Sequence, residues 1–251
     1  VAFLTGWLAQ HYGVTPYPFY LGIGISIIGL LLSWIWVKDT RAFVQKEGAF
    51  TVAKPLRNVF WETTFKNKTL SSVTQAGLVN NLNDGMIWGL FPIFLKSLDF
   101  NHEQIGFLAG IYPTVWGIGQ LFTGKMSDHL SKKGLLFWGM LLQGLAIFGI
   151  LQTSDFSQLV LISGLLGFGT AMVYPTFLTT IAEFTTPKQR AESIGVFRLW
   201  RDLGYVIGAL FSGIIADLLG IDWAIGFIGF LTVVSAIIIQ FRMKGRHKLW
   251  S

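Results

Sequence analysis

Asp84 stands 13 residues into the apolar run Ser71–Leu95 and 11 before its end. At mid-bilayer a carboxylate costs roughly 2.5–3.5 kcal/mol on insertion scales, so it must face water, a ligand or a partner group. Asn80 and Asn81 precede it by four and three residues and Trp88 follows it by four, which places all of them on one helical face. Such a polar-aromatic stripe suits contact with a cation or polar substrate through a carboxylate that takes up and releases a proton. It equally suits an Asp that bonds its Asn neighbours and holds helices together, and the spacing leaves both open.

Two more spans carry Tyr-Pro pairs, Tyr112-Pro113 and Tyr174-Pro175. Proline removes a helix hydrogen bond and kinks the rod. The freed carbonyls are expected to line a cavity, so Tyr112 and Tyr174 join Asp84 as cavity candidates, with packing as the alternative. Arg198, Arg201 and Asp202 form a further charged group. Arg198 and Asp202 have the i,i+4 spacing of a helical ion pair, which leaves Arg201 for another helix, an anionic substrate or lipid; snorkelling to the interface is the plainer reading. The four histidines, His11, His102, His129 and His247, show no ligand spacing, so no metal is expected. No nucleotide loop, Gly-x-Ser-x-Gly or His-Glu-x-x-His is present, and no cofactor is expected.

The elements that hold these residues follow from composition. The 251 residues are 52% hydrophobic and 13% charged, with a mean hydropathy of +0.57; soluble domains carry about 25% charged residues. Soluble enzymes, nucleic-acid binders and coiled coils are excluded, and zero cysteines exclude disulfide scaffolds and thiolate sites. After an apolar tail at Val1–Leu8, seven spans are expected at Tyr17–Val37, Ser71–Leu95, Glu103–Thr123, Gly134–Gln152, Ser157–Ile181, Ala191–Asp217 and Ile221–Met243. Backbone groups in lipid have no water to pair with, so the spans are helices. The class is all-α, a multi-pass transmembrane helix bundle.

Loop charges orient it. Lys38–Leu70, Gly124–Lys133, Ala182–Arg190 and the tail after Phe241 lie on one side and hold sixteen Lys and Arg, against Lys96 alone on the other. The basic side, with the C-terminus, is expected in the cytoplasm. The net charge of +6 is therefore topological, and no nucleic-acid partner is expected. Gly6-x-x-Ala9-x-x-x-Gly13 also echoes Gly213-x-x-Ala216-x-x-x-Gly220 at an offset of 207 residues, each copy ending one helix ahead of another span. A repeat of helical halves is a transporter architecture.

Gly124-Lys-Met-Ser-Asp128-His-Leu-Ser-Lys132-Lys133 resembles the Gly-x-Leu-x-Asp-Arg-x-Gly-Arg-Arg loop of the major facilitator superfamily. Gly124, Asp128, Lys132 and Lys133 match in type, while His129 and Ser131 depart from it. Phe197-Arg198-x-x-Arg201-Asp202-x-Gly204 is similar to what bacterial members carry. The resemblance implies a six-helix half, with one and a fraction helices of the preceding half: residues 1–37 the end of the N-terminal half, 38–70 the central cytoplasmic linker, 71–243 helices seven to twelve, and 244–251 a basic tail. The chain would then be a fragment of a twelve-helix protein. The resemblance also implies that Asp128, Lys132 and Lys133 hold a cytoplasmic gate by charge pairing. The implied function is secondary active transport of a small solute by alternating access, coupled to protons at Asp84, in a bacterial inner membrane. The implied partners are a small-molecule substrate, protons, the lipid bilayer and the missing N-terminal half. A membrane-embedded enzyme or lipid-handling protein is the alternative, and a receptor or scaffold without flux a third.

Overall fold

Residues 2–36 and 55–244 are described in the computed structural model, and every long element among them is helical. The helices are α1 (Ala2–Tyr12), α2 (Tyr17–Trp36), α3 (Lys68–Ser97), α4 (His102–His129), α5 (Lys132–Ile150), α6 (Phe156–Phe184), α7 (Pro187–Leu219) and α8 (Ile221–Arg242). A short helical turn, Val59–Trp61, runs into a π-turn, Glu62–Lys66, just ahead of α3. The first part of the expected linker, residues 37–54, and the tail beyond Lys244 lie outside the described residues.

Local chemistry sets the ends. Asn67 caps α3 by accepting from the Thr69 and Leu70 amides, each at 3.1 Å. Asn101 and Gln104 form a reciprocal capping box on α4. Asp155 caps α6 through the Gln158 amide at 2.9 Å, and Pro187 opens α7, where a missing N–H costs nothing. The two echoed glycines end their helices in one conformation: Gly13 has φ +94° and Gly220 φ +103°, a region side chains avoid.

Among the described residues, six helices are long and apolar enough to cross a membrane: α2, α4, α5, α6, α7 and α8. The sequence pattern predicts a seventh at Ser71–Leu95. The helix found there, α3, has 30 residues and the length to span, but Gln75, Asn80, Asn81, Asn83 and Asp84 interrupt its apolar character. It bears them because it is central: it packs on α7, α8, α6 and α4 and buries residues along nearly its whole length.

Small residues set how closely it packs. A β-carbon on Gly204 of α7 would lie 2.9 Å from the carbonyl carbon of Leu78, one on Gly208 would lie 2.8 Å from Leu82 Cα, and one on Gly85 of α3 would lie 2.8 Å from the Ala209 nitrogen. The α3 and α7 backbones therefore touch, because glycines spaced four apart leave no side chain between them. On the opposite flank Gly6 of α1 meets the His102 carbonyl and Gly106 of α4 in the same way.

Candidate functional site

Four helices converge on one string of side chains. Asp84 of α3 is 6% exposed, and its Oδ1 accepts a hydrogen bond from Tyr112 Oη of α4. Tyr112, itself buried, lies 3.4 Å from Thr170 Oγ1 of α6. Its ring stacks on Trp116, one turn along α4, with centroids 6.1 Å apart. Trp116 meets Tyr174 of α6 edge-on at 5.4 Å. Tyr174 Oη accepts from Arg201 Nη1 of α7 at 2.9 Å, and the guanidinium lies 5.8 Å from the Tyr174 ring centre, within cation–π reach. Arg201 also donates twice to Asp202 Oδ1, at 2.8 and 2.7 Å. Asp84, Tyr112, Tyr174, Arg201 and Asp202 are thus one connected set.

The charge pairing is not the one the spacing predicts. Asp202 pairs with its neighbour Arg201, and Arg198 is exposed without joining the string. The reason is reach. Tyr174 takes Nη1 of the Arg201 guanidinium, and the Arg201 Nε and Nη2 are left for the adjacent Asp202 carboxylate.

Asn80 lies one turn before Asp84 and is 1% exposed; its Oδ1 has no hydrogen-bond partner. Trp116 Nε1 is a second buried polar atom without a partner. Asn81 is half-buried, while Trp88 is exposed. With Phe3, Phe107 and Pro113, Trp88 lines a cavity of about 770 Å³ between α1, α3 and α4. The expected stripe therefore divides, with Asn80 and Asp84 buried against neighbouring helices and Trp88 at an apolar cavity.

The Tyr-Pro expectation divides. Pro113 lines the cavity beside Trp88, whereas Pro175 leaves the Ala171 carbonyl without its helix donor and Thr123 Oγ1 of α4 donates to it instead, at 2.6 Å. The kink is closed by a neighbouring helix.

The predicted gate segment is also shaped differently. Gly124 through His129 continue α4, and only Leu130 and Ser131 turn the chain. Lys132 forms an ion pair with Glu183 at the end of α6, 2.6 Å, within the same bundle. Lys133 is half-buried, and the side chain of Asp128 lies outside the described ones.

Sequence reasoning missed a second polar group behind the first. Asn83 of α3 donates to Gln143 Oε1 of α5 at 3.1 Å and accepts from Thr232 Oγ1 of α8 at 2.6 Å, all three buried. A lone Gln in the apolar α5 and an Asn beside Asp84 were the signals that marked it.

Comparison with known proteins gives the same picture. The sequence model described as Major Facilitator Superfamily matches residues 73–249. An uncharacterized MFS-type transporter of Methanocaldococcus jannaschii is 27% identical over 190 residues, covering 75% of this chain and 46% of the relative. The multidrug resistance protein MdtG of Salmonella arizonae is 23% identical over 216 residues, covering 84% of this chain and 52% of the relative, and that of Salmonella newport matches equally. The chain spans about half the length of the curated relatives it matches.

Proposed function

This chain belongs to the Major Facilitator Superfamily, and from that premise we propose that it is the second half of a secondary transporter working by alternating access and coupled to protons at Asp84. It is an integral membrane protein, with six helices long and apolar enough to cross a bilayer. Its C-terminus lies in the cytoplasm, in a bacterial inner membrane, with residues 71–243 as the six-helix half and a preceding half completing the cavity.

The observation that carries the reading is the Asp84–Tyr112 pair. A carboxylate held near mid-bilayer by one phenol, in a wall of Trp116 and Tyr174, can alternate between a proton and a cationic or polar solute. Arg201, bonded to Tyr174 on α7, links that wall to the cytoplasmic side. Gating then moves α4, α6 and α7 relative to the preceding half, and the Asp84 string reports which side is open. The aromatic lining and the apolar cavity beside Trp88 favour a small, moderately apolar or cationic solute. The name of the similar multidrug resistance protein MdtG supports that class.

The test is transport by the full-length protein in proteoliposomes, with tetraphenylphosphonium and ethidium as trial solutes. Wild type is expected to accumulate solute under an imposed pH gradient and to exchange it in counterflow. Asp84→Asn is expected to lose gradient-driven accumulation by at least about tenfold, the cost of one uncoupled step of roughly 1.4 kcal/mol, while keeping counterflow. Unchanged gradient-driven accumulation by Asp84→Asn would remove this residue from coupling.

A further inference from the structure

Ahead of α3, residues 55–66 do not behave as a slack linker. Leu56 is clamped by the Gln189 side chain of α7, which accepts from the Leu56 amide and donates to its carbonyl, both at 2.8 Å. Thr63 accepts through its carbonyl from Thr74 Oγ1 of α3 at 3.1 Å. Thr64 Oγ1 accepts from Trp200 Nε1 of α7 at 3.2 Å. The Phe65 carbonyl accepts from Arg242 at the end of α8, 2.6 Å. Five bonds to three helices fix this strap across the bundle end that carries the basic loops.

Its outer face is aromatic. Val59, Thr63 and Thr64 are buried, whereas Phe60, Trp61 and Phe65 are 37%, 50% and 50% exposed. The rings form a row: Phe60 to Trp61 at 5.7 Å, Trp61 to Phe65 at 5.5 Å, Phe65 to Trp200 at 6.4 Å. Arg57, Lys66 and Lys68 stand exposed along the same strap, and Arg242 and Lys244 end beside it. Glu62 is the only acid in residues 55–68. Water is a poor medium for a fixed row of rings, and a protein core a poor one for this much positive charge. The headgroup layer of a membrane accepts both: indole and phenyl rings settle at the acyl boundary and basic residues meet lipid phosphates.

We propose that residues 56–68 form a membrane-surface strap that binds anionic phospholipid headgroups of the cytoplasmic leaflet through Phe60, Trp61 and Phe65 with Arg57, Lys66 and Lys68. The strap is tied to α3, α7 and α8, and α7 and α8 also pack on each other. The inference requires the bundle to lie in a membrane and is independent of any transport cycle.

The chain has no cysteine, so Phe60→Cys is the one thiol within it, and any cysteine elsewhere in the full-length protein is replaced by serine before labelling. Bimane at that position of the full-length protein is read in vesicles of phosphatidylcholine alone and of phosphatidylcholine with phosphatidylglycerol, with quenching by lipids bearing a headgroup nitroxide. The expected result is blue-shifted emission, with quenching that strengthens when the nitroxide is on phosphatidylglycerol. Arg57→Gln, Lys66→Gln and Lys68→Gln are then expected to lower the preference for phosphatidylglycerol by up to roughly fivefold per charge removed. Water-exposed emission in both vesicles would overturn the proposal. So would blue-shifted emission that neither nitroxide lipid quenches, because a second copy or another protein segment would then cover the strap. Equal quenching by the zwitterionic and anionic lipids would overturn its charge recognition, and the label in the otherwise unaltered protein decides this even if the glutamine variants do not fold.

Discussion

Gly208→Ala should destabilise the bundle out of proportion to the single methyl group it adds. A β-carbon there would sit 2.8 Å from Leu82 Cα and closer still to the Leu82 carbonyl oxygen, whereas ordinary contact begins at 3.4 Å. Both atoms are backbone of α3, so no side-chain rotation relieves them, and α3 and α7 must part by at least about 0.6 Å. Gly204 and Gly85 bring the same two backbones together on either side, so the parting cannot be local. Overpacking of this kind costs about 1–3 kcal/mol. For a chain of this size each kcal/mol moves Tm by about 2–4 °C, giving an expected loss of about 2–12 °C. The assay is thermal unfolding of the full-length protein in detergent, followed by intrinsic fluorescence. Gly195→Ala on the same helix is the control, since a β-carbon there meets nothing within 4 Å and alanine is the better helix former by about 1 kcal/mol. Equal Tm values for the two variants would show that α3 and α7 do not meet through backbone, and the placement of Asp84 beside Gly85 would lose its support.

Gln143→Leu should cost about 1–3 kcal/mol by stranding the buried Asn83 amide. Asn83→Leu with Gln143→Leu should cost less than the sum of the two single changes by at least about 0.5 kcal/mol, and strict additivity in thermal or urea unfolding would sink the network. Lys132→Ala should cost at most about 1 kcal/mol, because its ion pair with Glu183 is partly exposed. Exchanging the pair as Lys132→Glu with Glu183→Lys should recover most of the loss caused by either reversal alone, and failure to recover would mean that Lys132 serves a different partner.

Hydrophobic runs made the helices legible, because lipid forces helix and the apolar length is set by the bilayer. Each expected span matches an observed helix to within about four residues, except that α4 runs on six residues past Thr123 to His129. Contacts across helices were legible only where spacing on one helix betrayed them. Asp84, Tyr112 and Tyr174 stood out singly, as a carboxylate in an apolar run and as tyrosines before prolines. Nothing in the sequence said that Tyr112 bonds Asp84, since that depends on how α3 and α4 cross. Trp116 went unnoticed although it is one turn from Tyr112, because tryptophan is common in such chains and proline drew the eye. The strap looks like polar linker in the sequence because its buried positions, Val59, Thr63 and Thr64, are too few and too short a series to show a period. Arg198 looked the better partner for Asp202, since helix spacing ignores where a long side chain is pinned at its far end.

Asn83 and Asp84 are neighbours on α3, and the difference between their surroundings is what the coupling role proposed for Asp84 rests on. The Asn83 amide donates to Gln143 and accepts from Thr232, so both ends of the group are used within the protein. That is how a polar group holds helices together without inviting a ligand. Around Asp84 the bonding is incomplete. Its carboxylate accepts from Tyr112 alone among the described residues, the Asn80 carbonyl one turn away has no partner, and neither does the Trp116 indole N–H on the adjoining ring stack. Each such buried group costs about 1–3 kcal/mol if left unpaired. A scaffold gains nothing from the two beside Asp84, whereas a site that binds and releases needs acceptors and a donor that a proton or a solute can satisfy in turn.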